Sequence, residues 1–448
     1  MSKKLAIIAI VCLYFSCQKT PEIKTKYNIL NEQERAILKD EILEDRFINL
    51  LPQLMDDADI DMWLLISREY NEDPILKTML PATWLNARRR TIIVFFRDKS
   101  KNTLERMAVA RYNIGKSIQS VWDKEKEPNQ WKALAEIIKE RNPEKIGINM
   151  SKYFALADGL VKTDYDELFE NLPTAYQNKL VSAEKLGIGW IETRTAMELA
   201  LFRKLVKITH DIIDEAFSTK VIKPGKTTTE DVVWFMRQKV TDLGLETWFH
   251  PTVDVQRDAE ALKSHIASFS KTEKEKTIQK GDLLHCDFGI TYVGLNTDCQ
   301  QHAYVLKDDE NEVPIFLKEA FKKGNRVQDI LTSNMRVGLT GNEILKSALI
   351  QGRKEGLLPS IYTHPLGKYG HSAGTTIGMW DYQNGVPFNG AYPLHKNTAY
   401  AIELNTTVTI KEWNKDIRIM LEEAGFFGDN TFEYVNERQT EIKPIHIK

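Results

Sequence analysis

Apolar positions along the chain fall into two rhythms. From Asn31 to about Asn49, Leu30, Ala36, Ile37, Ile42 and Phe47 recur at helical spacing among many charges, which predicts an amphipathic helix. Met62 to Ile66 and Thr91 to Phe96 are short runs dense in Ile, Leu, Val and aromatics, as buried strands are. A helix over Gln130 to Arg141, closed by Asn142-Pro143, precedes a strand from Lys145 to Asn149, and this alternation predicts a small α/β domain. The pattern breaks at Leu186-Gly187-Ile188-Gly189, after which Thr195-Ala196-Met197-Glu198 forms a capping box opening a long helix to about Phe217. The expected domains are therefore 31–188 and 189–448.

The second domain repeats itself. Gly225, Thr227 and Glu230 open a capped helix closed by Gly244-Leu245; Gly338, Thr340 and Glu343 open another closed by Gly356-Leu357, at a single common offset. Two copies of a helix, capped helix and strand unit around a pseudo-twofold axis would bring the residues after each helix together in the middle. The fold class expected is a two-domain α/β protein whose larger, α+β part carries an internal repeat.

At 448 residues the chain exceeds what one core supports, in agreement with two domains. With 42% hydrophobic and 28% charged residues it is not fibrous, disordered or a multi-span membrane protein. The net charge is -2 and no Lys/Arg-rich stretch is present, so nucleic acid is not expected as a partner. The amino end departs from this composition: Lys3 and Lys4, an apolar run from Leu5 to Phe15, then Ser16-Cys17, which is the layout of a secretory leader too short to span a bilayer. The Cys after a small residue resembles the lipobox of bacterial lipoproteins. That predicts a signal peptide over 1–17, lipidation of Cys17, a polar tether over 18–30, and a body held outside the cytoplasm by a lipid anchor.

Candidate chemistry is concentrated in the second domain. Lys280 to Phe288 and Leu295 to Gln300 read as a hairpin; with a turn at Tyr292-Val293, Asp287 stands directly across from Asp298, their Cβ atoms about 5 Å apart. Two carboxylates that close require a raised pKa or a cation between them. Downstream, His371 sits between glycines in Gly370-His371-Ser372-Ala373-Gly374, and Glu403 and Glu422 each interrupt an apolar strand-like run. An acid in such a strand is costly unless paired or bound to metal.

The order Asp287, Asp298, Gly-flanked His371, Glu403, Glu422 resembles that of the pita-bread metallopeptidases, among them methionine aminopeptidase, prolidase and aminopeptidase P. The resemblance covers about Trp190 to Lys448, and the first domain is similar to the amino-terminal domain of aminopeptidase P, prolidase and creatinase. It implies a pita-bread domain and two divalent metal ions bridged by Asp298 and Glu422, with Asp287 on one and His371 and Glu403 on the other. Oxygen-rich ligands of this kind favour Mn²⁺ and admit Co, Fe or Zn. Further implications are Glu403 as proton carrier, small peptides as substrates in the manner of an Xaa-Pro aminopeptidase or dipeptidase, and a homodimer. An assisting His is expected at His265, with His250 as competitor; His364 stands near the ligand His without an assigned role, and His285 and His302 share the strand face of the acids. The sequence departs from the proline peptidases at Gln300-Gln301 and Met420, where those enzymes carry Arg, so proline specificity rests on kinship alone.

The same hairpin places Cys286 opposite Cys299, open to a cross-strand disulfide or to two buried thiols. Gly370 to Gly374 also fits the Gly-x-Ser-x-Gly elbow of serine hydrolases through Ser372, although no apolar strand precedes it and no helix follows. The other alternative is a non-catalytic or non-peptidase C–N hydrolase member of the same fold, as creatinase illustrates.

Overall fold

The structure, a computed structural model, describes residues 26–258, 260 and 275–446. Cys17 and the rest of the leader, and His265, lie outside the described residues.

Chain order in the first domain is α1 Glu32–Asn49, α2 Leu51–Ala58, β1 Met62–Arg68, β2 Arg90–Asp98, β3 Thr103–Val109, β4 Gln119–Ser120, α3 Gln130–Arg141, β5 Ile146–Ile148, α4 Lys162–Asn171, β6 Leu180–Ser182 and α5 Glu184–Glu192. The strands form one sheet in the order β4-β3-β2-β1-β5-β6. Both faces are covered. Trp63 and Leu65 of β1 point into a core with Phe47, Leu51 and Leu186, while Met62, Leu64 and Ile66 point the other way, against Trp131, Leu134 and Ile138 of α3. That is why β1 reads as an unbroken apolar run and not as an alternation.

The expected break at Leu186 to Gly189 falls inside α5. Its two glycines serve packing: a Cβ on Gly187 would meet Ile75 Cδ1 at 2.5 Å, and one on Gly189 would meet Leu54 Cδ2 at 2.9 Å. The chain turns instead just after α5, and Thr195 caps α6 Ala196–Ala216 with the capping box to Glu198 that the sequence announces.

Beyond α6 come α7 Thr229–Leu243, β7 Thr252–Gln256, β8 Leu283–Phe288, β9 Thr291–Tyr292, β10 Leu295–Asn296 and β11 Cys299–Val305. After these follow α8 Ile315–Asn334, α9 Gly341–Lys354, β12 Pro359–Ile361, β13 His364–Pro365, β14 Thr398–Ile410, β15 Lys415–Phe427, β16 Phe432–Tyr434 and β17 Lys443–Ile445. The main path of the sheet is β12-β14-β15-β11-β8-β7. Read from its centre outward this order is symmetrical: each half has a helix, a capped helix, an edge strand and two inner strands. The repeat is thus present, with one shift in detail. α9 is capped by Thr340 and Glu343 as expected, but α7 is capped by Thr228 with Asp231, one residue later than Thr227 and Glu230. Thr227 instead accepts from Lys223 N and donates to Val221 O.

The first hairpin differs from expectation in register. Phe288 pairs with Cys299, Asp287 with Gln300 and Cys286 with Gln301, while Tyr292 pairs with Leu295. The turn is Val293-Gly294, with φ of 52° and 73°, the type I′ geometry that matches strand twist. This one-residue move of the turn shifts every cross-strand pair by two, so Asp298 faces Gly289 and not Asp287. It also separates the cysteines. Cys286 and Cys299 are unbonded, buried among the apolar residues behind the sheet, and burial pushes both thiols up.

Candidate metal centre

One row of residues crosses the sheet on the face opposite that core. Glu403 on β14 pairs with Glu422 on β15, Glu422 with Gln300 on β11, Gln300 with Asp287 on β8, and Asp287 with Thr252 on β7. Directly paired residues point to the same face, about 5 Å apart, so four strands deliver three acids and an amide to one line. Asp298, two residues before Gln300, joins them diagonally and lies within hydrogen-bonding reach of both Asp287 and Glu422. On the far side β13 pairs with β14 through His364 and Ala401, which brings His364 and Tyr362 to the same face.

Asp298 and Glu422 are buried, Asp287 and Glu403 half-buried. Burial raises the pKa of all four above the usual carboxylate range, reinforced at Asp298, Glu403 and Glu422 by repulsion from fellow acids of the cluster and at Asp287 by Asp254. Gln300 sits among them as a clamp. Its Nε2 donates to Glu403 Oε1 and Glu422 Oε2, each at 3.0 Å, and its Oε1 accepts from His285 Nε2 at 3.0 Å. Asp287 Oδ1, Asp298 Oδ1, Glu422 Oε1 and His364 Nε2 are buried without a hydrogen-bond partner. Orphaned oxygens and an imidazole nitrogen converging on one place fit divalent cations of the harder kind.

The two histidines near this place are not equivalent. His364 is 3% exposed, and its Nε2 points at Glu422 Oε1, 3.7 Å away, and Asp298 Oδ2, 4.0 Å away. His371, the ligand expected from the sequence, is exposed and has no carboxylate within ion-pair distance among the described residues. Its ring packs edge-on against His364 at 4.8 Å and Trp248 at 5.3 Å. The flanking glycine admits a tryptophan, not a metal: a Cβ on Gly370 would lie 2.3 Å from Trp248 Cζ3. The geometry therefore replaces His371 with His364 as the nitrogen facing the acids, and puts His371 at the mouth.

The remaining candidates fall outside the cluster. His250 is exposed, 3.0 Å from Arg237 Nη1 and beside the Trp234 ring, with no contact to the acids among the described residues. His302 is locked between Leu284 O and Met420 N, and burial drives its pKa to about 3. Ser372 Oγ has no hydrogen-bond partner and hence no base, and no helix follows it, so no nucleophile elbow forms. A second grouping, His210, Cys299 and Glu423, occupies the back of the sheet. There Glu423 is taken up by His210 at 2.7 Å and by Gln301 and Gln439 N at 3.0 Å, which docks α6 onto β15. Gln300, Tyr362 and Trp248 are the site residues that the sequence did not point to: Gln300 meets Glu422 only across β11 and β15, and Tyr362 and Trp248 reach the site from outside the strands.

A curved sheet with a pseudo-twofold axis, helices on one face and a converging acid and imidazole set on the other, defines a metal-dependent hydrolase of the pita-bread type. A sequence profile of metallopeptidase family M24 matches residues 200–424, and the chain belongs to that family. Among solved structures it is similar to an X-Pro aminopeptidase from Thermotoga maritima MSB8, with 14% identity, TM-score 0.60, and 88% of this chain and 100% of that one covered. It is similar also to an Xaa-Pro dipeptidase from Bacillus anthracis, with 16% identity, TM-score 0.55, and 93% and 100% covered. A variant of Escherichia coli aminopeptidase P gives 12% identity, TM-score 0.56, and 91% and 95% covered. These likenesses establish the pita-bread fold with its amino-terminal domain. No curated protein matches the chain in sequence.

Proposed function

We propose that the protein is a two-metal peptidase that cleaves small peptides, with Asp287, Asp298, Glu403, Glu422 and His364 holding the ions. The observation that carries this reading is the row Glu403, Glu422, Gln300, Asp287, with its unpartnered oxygens facing His364 Nε2. Two bound dications, Mn²⁺ by the hardness of the donors with Co, Fe or Zn admitted, would supply Lewis acidity and an acidified water. Glu403, half-buried and raised in pKa, holds and moves a proton between the attacking water and the leaving amine. Gln300 keeps Glu403 and Glu422 in one orientation. His371, exposed at the mouth and braced by Trp248, is placed to donate a hydrogen bond to the peptide.

A recess beside Glu403 is lined by Tyr362, Trp380, Leu404 and Met420 and by no cation. It suits an uncharged side chain. Xaa-Pro cleavage is supported only by likeness to an X-Pro aminopeptidase and an Xaa-Pro dipeptidase. Export on a lipid anchor at Cys17 and a homodimer also belong to the proposal: Cys17→Ser should move the protein from the membrane to the soluble fraction, and sedimentation should give twice the chain mass. The reaction is tested by assaying metal-stripped protein, with and without Mn²⁺, against Xaa-Pro and non-proline peptides. Hydrolysis that returns with the metal and vanishes in Asp298→Asn supports it; turnover indifferent to chelator removes it.

A further inference from the structure

A second cavity, of about 220 Å³, lies between the two domains, away from the acid cleft. Its walls come from α1, the short helix Pro74–Thr78, the Val293-Gly294 hairpin tip and Lys368 with Tyr369. Lys39, Arg46, Lys77 and Lys368 face it, and no Asp or Glu does. The rest of the wall is largely apolar, from Ile42, Leu43, Leu80, Val293 and the Tyr369 ring, whose hydroxyl is engaged by Pro74 O.

The positive charge is not balanced from behind. Buried Glu198 meets Arg46 Nη1 at 2.6 Å, Lys368 Nζ at 3.0 Å and Arg194 Nη1 at 3.4 Å. Three cations thus share one carboxylate. The other acid near Arg194, Glu192, is pushed up to about 8 by burial, which weakens it as a counter-charge, while the same burial draws Lys368 down to about 8. Arg46 and Arg194 also donate to the carbonyls of Trp190 and Ile191, which orient the guanidinium groups without adding negative charge. Lys39, half-buried, and Lys77, exposed at the rim, have no carboxylate within ion-pair distance among the described residues. Excess like charge beside apolar walls focuses a positive field into the cavity, where the buried Arg46 and Lys368 have only a shared carboxylate and Lys39 and Lys77 at the wall and rim have none.

We propose that this cavity binds a small organic carboxylate with a compact apolar body. Its volume lies below the roughly 300 Å³ at which drug-sized ligands begin to fit, which limits the body to about amino-acid size. Inorganic phosphate would satisfy the cations but leave the apolar wall unused. The site shares no residue with the acid cluster, and the inference stands apart from the proposed reaction. Occupancy would nevertheless touch the tip of the hairpin whose stem carries Asp287 and Asp298.

The test is calorimetric titration of the purified full chain with N-acetyl-leucine, N-acetyl-leucinamide and inorganic phosphate. Expected is saturable binding of the acid, weakened by added salt and about tenfold weaker in Lys39→Ala/Lys77→Ala, two side chains that give the fold no ion pair. Binding should survive in Asp298→Asn, which separates this cavity from carboxylate capture at the acid cleft. The neutral amide should not bind. The proposal is overturned if the acid fails to saturate, if the amide or phosphate binds as tightly, or if affinity is lost in Asp298→Asn and kept in the lysine double variant.

Discussion

Asp287, Asp298, Glu403 and Glu422 are raised in pKa by burial, the last three also by repulsion from fellow acids, so without cations the folded chain holds protons that the unfolded chain has released. The unfolded values lie near about 4. Folded values above them make the metal-free stability fall as pH rises through that window. In chelator-treated protein, Glu422→Gln should therefore melt above the unmodified chain at neutral pH, and the difference should shrink as pH falls toward about 4. A gap that widens on acidification would contradict the repulsion described. The histidines give a separate prediction: under the proposed two-metal function, His364→Ala should bind less metal by elemental analysis than the unmodified chain, whereas His371→Ala should bind as much and lose turnover. Which histidine faces the acids was not legible in the sequence, because His364 reaches them only by pairing with Ala401 on β14.

Among elements, the extents of α1 and α3 and the N-terminal caps of α6 and α9 were legible, since apolar spacing and capping boxes are local signals; the Asn31–Glu34 box of α1 and the Asn129 cap of α3 went unread. Hairpin register was not, although its cue was present: a two-residue type I′ turn favours Gly at its second position, which points to Val293-Gly294. Gly289 shows what the register demands. A Cβ there would meet Thr297 O at 2.2 Å and Trp248 Nε1 at 2.5 Å. Gly289→Ala is expected to cost about 2 kcal/mol in chemical denaturation and to lower activity sharply, since Gly289 faces Asp298 and stands two residues from Asp287. Gly294→Ala has open space and should lose only about 1 kcal/mol, from its left-handed backbone.

At the scale of the whole molecule the two domains are joined by Arg46, which reaches from α1 to Glu198 on α6 and stacks on Trp190 at 4.3 Å. Removing it leaves a buried carboxylate with fewer partners. Arg46→Ala should lower stability by about 3 kcal/mol, read as an earlier denaturation midpoint with an unchanged circular dichroism spectrum. Little change would show that Arg194 and Lys368 suffice for Glu198. The sequence marked two domains but set the break inside α5, because the glycines that let Ile75 and Leu54 approach look the same, in one dimension, as glycines that end a helix.

Local chemistry, by itself, determined which segments are helix or strand, that the second domain is built twice, and which four acids are too costly to bury without a cation. Those are properties of composition and spacing within a few residues. The tertiary structure decided which strand faces which, and with it that Asp287 opposes Gln300, that His364 displaces His371 from the acids, and that four cations share one cavity. Strand pairing joins residues as distant in sequence as Gln300 and Glu422, and even within one hairpin a slip of one residue in the turn moves every side chain along the ladder.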